Sequence, residues 1–138
     1  MRHQDLTPST QDYLKHLLDL GEQVTPGRLA QHLQVKPPSV TGKLRHLQQQ
    51  GLIQHTPYHT ITLTETGRTL AQNIQRHHQL LTLYLHQVLG YSIEDAKREA
   101  ETLEHHISEK LEDRLYALLG QPTEDLTGHP IQQRSSTP

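Results

Sequence analysis

Residues 99–115 read EAETLEHHISEKLEDRL, and two glutamates and a histidine in this run stand at 101, 104 and 105. On a helix, Glu101, Glu104 and His105 occupy positions i, i+3 and i+4, an arc of roughly 100°. Carboxylates held that close repel each other unless a cation or a proton intervenes. Glu94, Asp95 and Glu99 lie just upstream, so the triplet reads either as part of a solvated acidic face or as the anionic side of a metal site. Two further donors sit elsewhere in the chain. His78 lies beside the apolar positions Ile74, Leu81 and Leu85, and Asp12 lies two residues before Leu14. The chain has no cysteine, and oxygen with imidazole suits Mn2+, Fe2+ or Zn2+ rather than copper(I) or an iron–sulfur cluster.

Well-marked elements carry these residues. Thr7-Pro8 and Thr25-Pro26 each place an N-cap before a proline at the first helical position. The first helix then has its stripe at Leu14, Leu17 and Leu18 and stops at Gly21, and a short second helix carries Leu29, Ala30 and Leu33. A third starts near Pro37-Pro38-Ser39, turns Val40, Leu44 and Leu47 inward, and ends at Gly51. Leu52-Ile53 and Ile61-Thr62-Leu63 flank a Thr-Pro-Tyr-His turn and predict a hairpin. A long helix is expected from Glu65 to Leu89, with apolar positions Leu70, Ile74, Leu81, Leu85 and Val88. Ser92 caps a fifth helix, which carries the acidic triplet, and Ser108 caps a sixth, with Leu111, Leu115 and Leu118, before Gly120. The tail GHPIQQRSSTP is polar and reads as loose.

The first part of this order is that of a winged helix-turn-helix, whose third helix must present its N-terminal side chains to the major groove. Lys36, Pro38, Ser39, Thr41, Lys43 and Arg45 are the candidates there, with Tyr58 and His59 at the wing. Hydroxyls reach phosphates or bases, cations neutralise phosphates, and Pro38 offers an apolar surface to a thymine methyl. Charge agrees. No acid lies between Glu22 and Glu65, whereas Arg28, Lys36, Lys43 and Arg45 do, together with four histidines. From Glu65 onward eleven acids face seven bases. One segment suits a polyanion and the other suits cations.

The 138 residues are 32% apolar, with no Trp or Phe and five Tyr. So lean a core makes burial against a second copy expected. Without cysteine, a signal-peptide pattern or a membrane-length apolar run, the sequence predicts a cytoplasmic protein that makes no membrane contact. No Ser/His/Asp grouping, glycine-rich phosphate loop or paired Glu-x-x-His motif is present, so catalysis on a small-molecule substrate is not expected. The fold class expected is mainly α: a winged helix-turn-helix domain over 1–64 with a small β-hairpin wing, an all-α metal-binding and dimerisation domain over 65–122, and a tail over 123–138.

The chain resembles the diphtheria toxin repressor family of metal-dependent transcriptional regulators, and within it the manganese transport regulators. The pieces that carry the resemblance are PPSVTGKLRHLQQQGLI, LTETGRTLA, RHHQLL, EAETLEHHIS and GHPI. It implies a homodimer that binds a palindromic operator and represses metal-uptake genes, with Mn2+ as corepressor and Fe2+ or Zn2+ as alternatives. It also implies a ligand set of Asp12, His78, Glu101, Glu104 and His105. Glu101 stands where iron-responsive members have a cysteine, which favours the harder ion, and Lys97 stands at their auxiliary-site histidine. Lys15 replaces the second glutamate that manganese regulators carry on the first helix. Three outcomes follow: a single ion, His16 or His106 in the missing place, or Lys15 turned to solvent. A metal-independent winged-helix regulator is the alternative reading, with the acidic run simply solvated.

Overall fold

A computed structural model describes residues 5–56 and 59–134. Its elements are α1 (Pro8–Leu20), α2 (Pro26–Leu33), α3 (Pro37–Gln49), β1 (Ile53–Gln54), β2 (Thr62–Leu63), α4 (Glu65–Gln87), α5 (Ile93–Leu103) and α6 (Glu109–Leu118). The mainly helical fold with a small two-stranded sheet is as the sequence predicts. Contacts divide the chain between Ala71 and Gln72, inside α4.

In the amino-terminal unit, the hydroxyls of Thr7 and Thr25 cap α1 and α2 by accepting from the amides of Thr10 and Arg28. Leu14, Leu17, Val24, Leu29, Val40, Leu44 and Leu47 close one core with Leu52, Ile53, Ile61 and Leu70. The strands pair antiparallel, Ile53 with Leu63 and Gln54 with Thr62, and a bridge from Val24 to Ile61 joins the first loop to this ribbon. α4 enters the unit tightly. The Thr64 hydroxyl donates to the Gly51 carbonyl (2.7 Å) and accepts from the Gly67 amide (3.1 Å). There Gly67 passes so close to Leu52 that an added Cβ would lie 2.0 Å from the Leu52 carbonyl oxygen.

In the carboxyl-terminal unit, Leu80, Leu81, Leu83 and Leu85 of α4 pack with Ala96, Ala100, Ile107, Leu115 and Ile131. Three expectations change here. α4 ends at Gln87, so Val88 falls in the following turn and is 51% exposed. On α6 the inward face is Glu112, Leu115, Tyr116 and Leu119, which rotates Leu111 and Leu118 outward. A carboxylate occupies the place an apolar residue was expected to fill. The tail is also not loose over 128–134, which with the residues after Gly120 forms a strap against α4. Gln79 of α4 donates to the Asp125 carboxylate and the Pro130 carbonyl and accepts from the Gln132 amide, each at 2.9 Å, and Ile131 is buried.

Asp125 is the knot of this strap. Its carboxylate accepts from Gln79, from the Thr127 amide and hydroxyl, and from the His129 amide. Burial pushes its pKa up, but those donors outweigh burial and hold it below the ordinary 3.8. A depressed carboxyl contributes stability in full above its unfolded value, and that contribution is lost as pH falls through the lower folded value. Asp125→Ala is therefore expected to lose about 1–3 kcal/mol at neutral pH, the range for a hydrogen-bonded charge and its stranded donors. The deficit should shrink on acidification below about pH 4, which urea unfolding at several pH values would measure.

Candidate metal centre and nucleic-acid interface

The donors expected to bind metal sit on four elements. α5 stops at Leu103, Glu104 is its C-cap with its amide on the Ala100 carbonyl, and His105 lies in the turn beyond. The i, i+3, i+4 face predicted for one helix therefore ends at Glu104, and His105 is placed by the turn. The C-terminal end of a helix carries partial negative charge and favours a cation.

Within the carboxyl-terminal unit Glu104 is the centre. Its carboxylate is fully buried and accepts from Nδ1 of His78 at 2.7 Å. A carboxylate only accepts here, so Nδ1 carries the proton. Ligand atoms of Glu104 and His105 come within 4.8 Å of each other. Among the described residues, Glu101 is on α5 and exposed to solvent, and neither it nor His78 joins Glu104 and His105 in that close group. In the amino-terminal unit, Asp12 is half-buried on α1. A buried carboxylate with an imidazole close by fits a divalent cation of the Mn2+, Fe2+ or Zn2+ kind.

Of the outcomes predicted at Lys15, the solvent-facing one fails, because Lys15 is 6% exposed. His106 is exposed, and the His16 ring packs edge-on against His32 with centroids 4.8 Å apart.

On α3, Lys36 is the N-cap, Pro37 takes the first helical position and Pro38 the second. Lys36, Pro38, Ser39, Thr41 and Arg45 are all exposed, as is His59 on the wing. Tyr58 lies outside the described residues. Lys43 differs from its neighbours. Its ammonium donates to the Thr10 hydroxyl at 2.7 Å and sits 5.9 Å above the Tyr13 ring, and burial lowers its pKa. Thr41 and Arg45 share a concavity of about 560 Å³ with Gln48, Gln49 and His55. These three are added to the candidates. Arg45, Gln48 and Gln49 stand at i, i+3 and i+4, a spacing that marks one helix face. Glutamine amides are suited to adenine edges, although Gln48 already accepts from the His55 amide at 3.2 Å.

Residues 5–61 match the iron-dependent repressor N-terminal DNA-binding domain, and residues 64–133 match the iron-dependent repressor metal-binding and dimerisation domain. The chain belongs to the diphtheria toxin repressor family. Among members of this family of metal-dependent transcriptional regulators, it is 35% identical over 130 residues to the iron-dependent repressor IdeR of Mycobacterium tuberculosis, covering 92% of this chain and 56% of that relative. It is 39% identical over 105 residues to the transcriptional regulator MntR of Escherichia coli, covering 74% of this chain and 67% of that one. A solved manganese-dependent transcriptional repressor in complex with manganese superposes with a TM-score of 0.82 at 35% identity, over 94% of this chain and 63% of the other. The chain thus spans little more than half the length of its IdeR-type family relatives, 56%.

Proposed function

We propose that this chain is a metal-responsive, DNA-binding transcriptional repressor, with Mn2+ as corepressor and Fe2+ or Zn2+ as competing ions. The observation that carries the reading is the buried Glu104 carboxylate on His78 at the end of α5, with His105 beside it. Asp12, His78, Glu101, Glu104 and His105 would hold the metal. Lys15, an ammonium three residues after Asp12, cannot ligate while protonated, which favours a single main ion. The metal supplies positive charge that offsets carboxylate repulsion, and it carries out no reaction.

Lys36, Pro38, Ser39, Thr41, Lys43 and Arg45, with Tyr58 and His59 of the wing, would meet the operator. For Lys43 this requires its ammonium to leave Thr10. A homodimer is proposed through the amphipathic surface of the carboxyl-terminal domain, where Leu89, Ile93, Leu111 and Leu118 are exposed. Two recognition helices then meet half-sites about 34 Å apart on a palindrome. Ordering those heads before DNA arrives strengthens binding. A domain division at 64/65 and 122/123 goes with this reading.

The expected result is at least tenfold tighter binding of a labelled palindromic operator in Mn2+ than in chelator, about 1.4 kcal/mol of coupling. By reciprocity, operator DNA tightens Mn2+ binding by the same factor. Fluorescence anisotropy with matched ionic strength measures the first and calorimetry the second. Equal operator affinity in the two conditions would establish the metal-independent regulator instead.

A further inference from the structure

Four consecutive side chains of α4, Arg76 to Gln79, reach the strap, α6 and the end of α5 in the carboxyl-terminal unit. Gln79 holds the strap at Asp125, Pro130 and Gln132. Arg76 pairs with Glu112 at 2.9 Å, donates to the Gln132 carbonyl at 2.8 Å and stacks 4.6 Å over the Tyr116 ring. His78 holds the Glu104 carboxylate.

The remaining residue, His77, is buried, with Nδ1 3.3 Å from the Glu104 backbone carbonyl and Nε2 3.5 Å from the Glu112 carboxylate. A carbonyl only accepts, so His77 donates from Nδ1. The last carbonyls of a helix have no intrahelical partner, and Glu104 is the C-cap of α5. His77 thus satisfies a helix-end carbonyl and fixes the backbone of the residue whose side chain His78 grips. On its far side, Glu112 is fully buried and accepts from Arg134 of the strap at 2.6 Å, and Arg134 also pairs with Asp113 at 2.9 Å. Arg134, Glu112 and the His77 ring pack in line as a brace from the strap to the backbone of Glu104, and the step from Glu112 to His77 is a 3.5 Å approach rather than a hydrogen bond.

We infer that His77 is a positioning residue for the metal centre, and that docking of the strap through Arg134 and Glu112 sets the metal affinity by holding Glu104 in place. This rests on the metal reading above and goes beyond it. His77 touches no metal in this scheme; it acts through Glu104. Partners of this outer kind are worth about 10–100-fold in metal affinity.

The test uses the full chain with His77→Gln, His77→Asn and Arg134→Ala, and Arg98→Ala on the exposed face of α5 as control. Asparagine puts its amide nitrogen near the place of Nδ1 and keeps the bond to Glu104, whereas glutamine reaches only toward Nε2. Calorimetry with MnCl2 is expected to show His77→Gln weakened about tenfold, His77→Asn, which keeps the bond to Glu104 but no longer reaches Glu112, and Arg134→Ala both weakened by less, and Arg98→Ala close to the parent. In chelator, amide hydrogen exchange across 104–107 is expected to speed up most in His77→Gln, less in His77→Asn and Arg134→Ala, and not in Arg98→Ala. Should His77→Gln fail to fold, Arg134→Ala against Arg98→Ala gives the same contrast, with Arg134 partly exposed at the strap's end. Unchanged affinity and unchanged exchange in Arg134→Ala and His77→Gln would overturn the inference. A parent chain that takes up no Mn2+, yet shows the exchange contrast, would overturn the metal reading and leave the brace standing as the holder of Glu104.

Discussion

Glu104→Gln is expected to lose Mn2+ binding by roughly 100-fold or more, beyond the upper range for an outer-shell change, with helix content retained. The parent carboxylate is fully buried and already organises His78. Glutamine keeps the volume and an acceptor oxygen for His78, so packing survives. It removes the negative charge, and a hard dication depends on anionic oxygen to replace its water. Operator affinity of the variant in Mn2+ should then equal that of the parent in chelator. Calorimetry and anisotropy on the same preparation check both halves. A variant that still tightens on its operator with Mn2+ would place the metal centre elsewhere.

Gly67→Ala is expected to cost about 3 kcal/mol or more, the upper end for overpacking, and to leave little folded protein at 37 °C. The new methyl would lie 2.0 Å from the Leu52 carbonyl oxygen and 3.0 Å from its carbon. The obstacle is backbone, so no rotamer change relieves it, and α4 must back away from the hairpin. That breaks the paired contacts of Thr64 with Gly51 and Gly67. Gly42→Ala is the matched control. It lies within α3 with open space around it, and should gain about 0.5–1 kcal/mol from helix propensity. Urea denaturation of the two variants decides the matter, and a Gly67→Ala midpoint equal to the parent would contradict the argument.

Local chemistry made much of the fold readable beforehand. Thr-Pro pairs and serine caps announce where α1, α2, α5 and α6 begin, and the leucine spacing separates core from surface in α1 to α3. What escaped depends on contacts far apart in sequence. The glycine of LTETGRTLA carries no sign that Leu52 will press on it. The inward face of α6 includes Glu112 because two arginines, from α4 and from the strap, meet it there, and a stripe of leucines cannot reveal a buried ion pair. The strap looked loose because its polar residues are indistinguishable from solvated ones until Gln79 and Arg76 are seen to take up its backbone. Lys43 likewise reads as a phosphate contact by position, yet its ammonium is bonded to Thr10 in the structure.

The metal donors were legible as types and less so as geometry. His78 and Glu104 are 26 residues apart and meet at 2.7 Å. His105 departs from the helical arc because α5 ends one residue before Glu104.

That ending has a bearing on how sequences of this kind can diverge. α5 is counted out from its Ser92 cap, and each residue added to or removed from it would swing Glu104 about 100° around the axis and shift it about 1.5 Å along it. Apart from Ile93 and Glu101, substitutions on the outer face are free to accumulate, but an insertion or deletion between Ser92 and Glu104 would turn the carboxylate away from His78 in a single step. The length of this helix should therefore drift far more slowly than its composition.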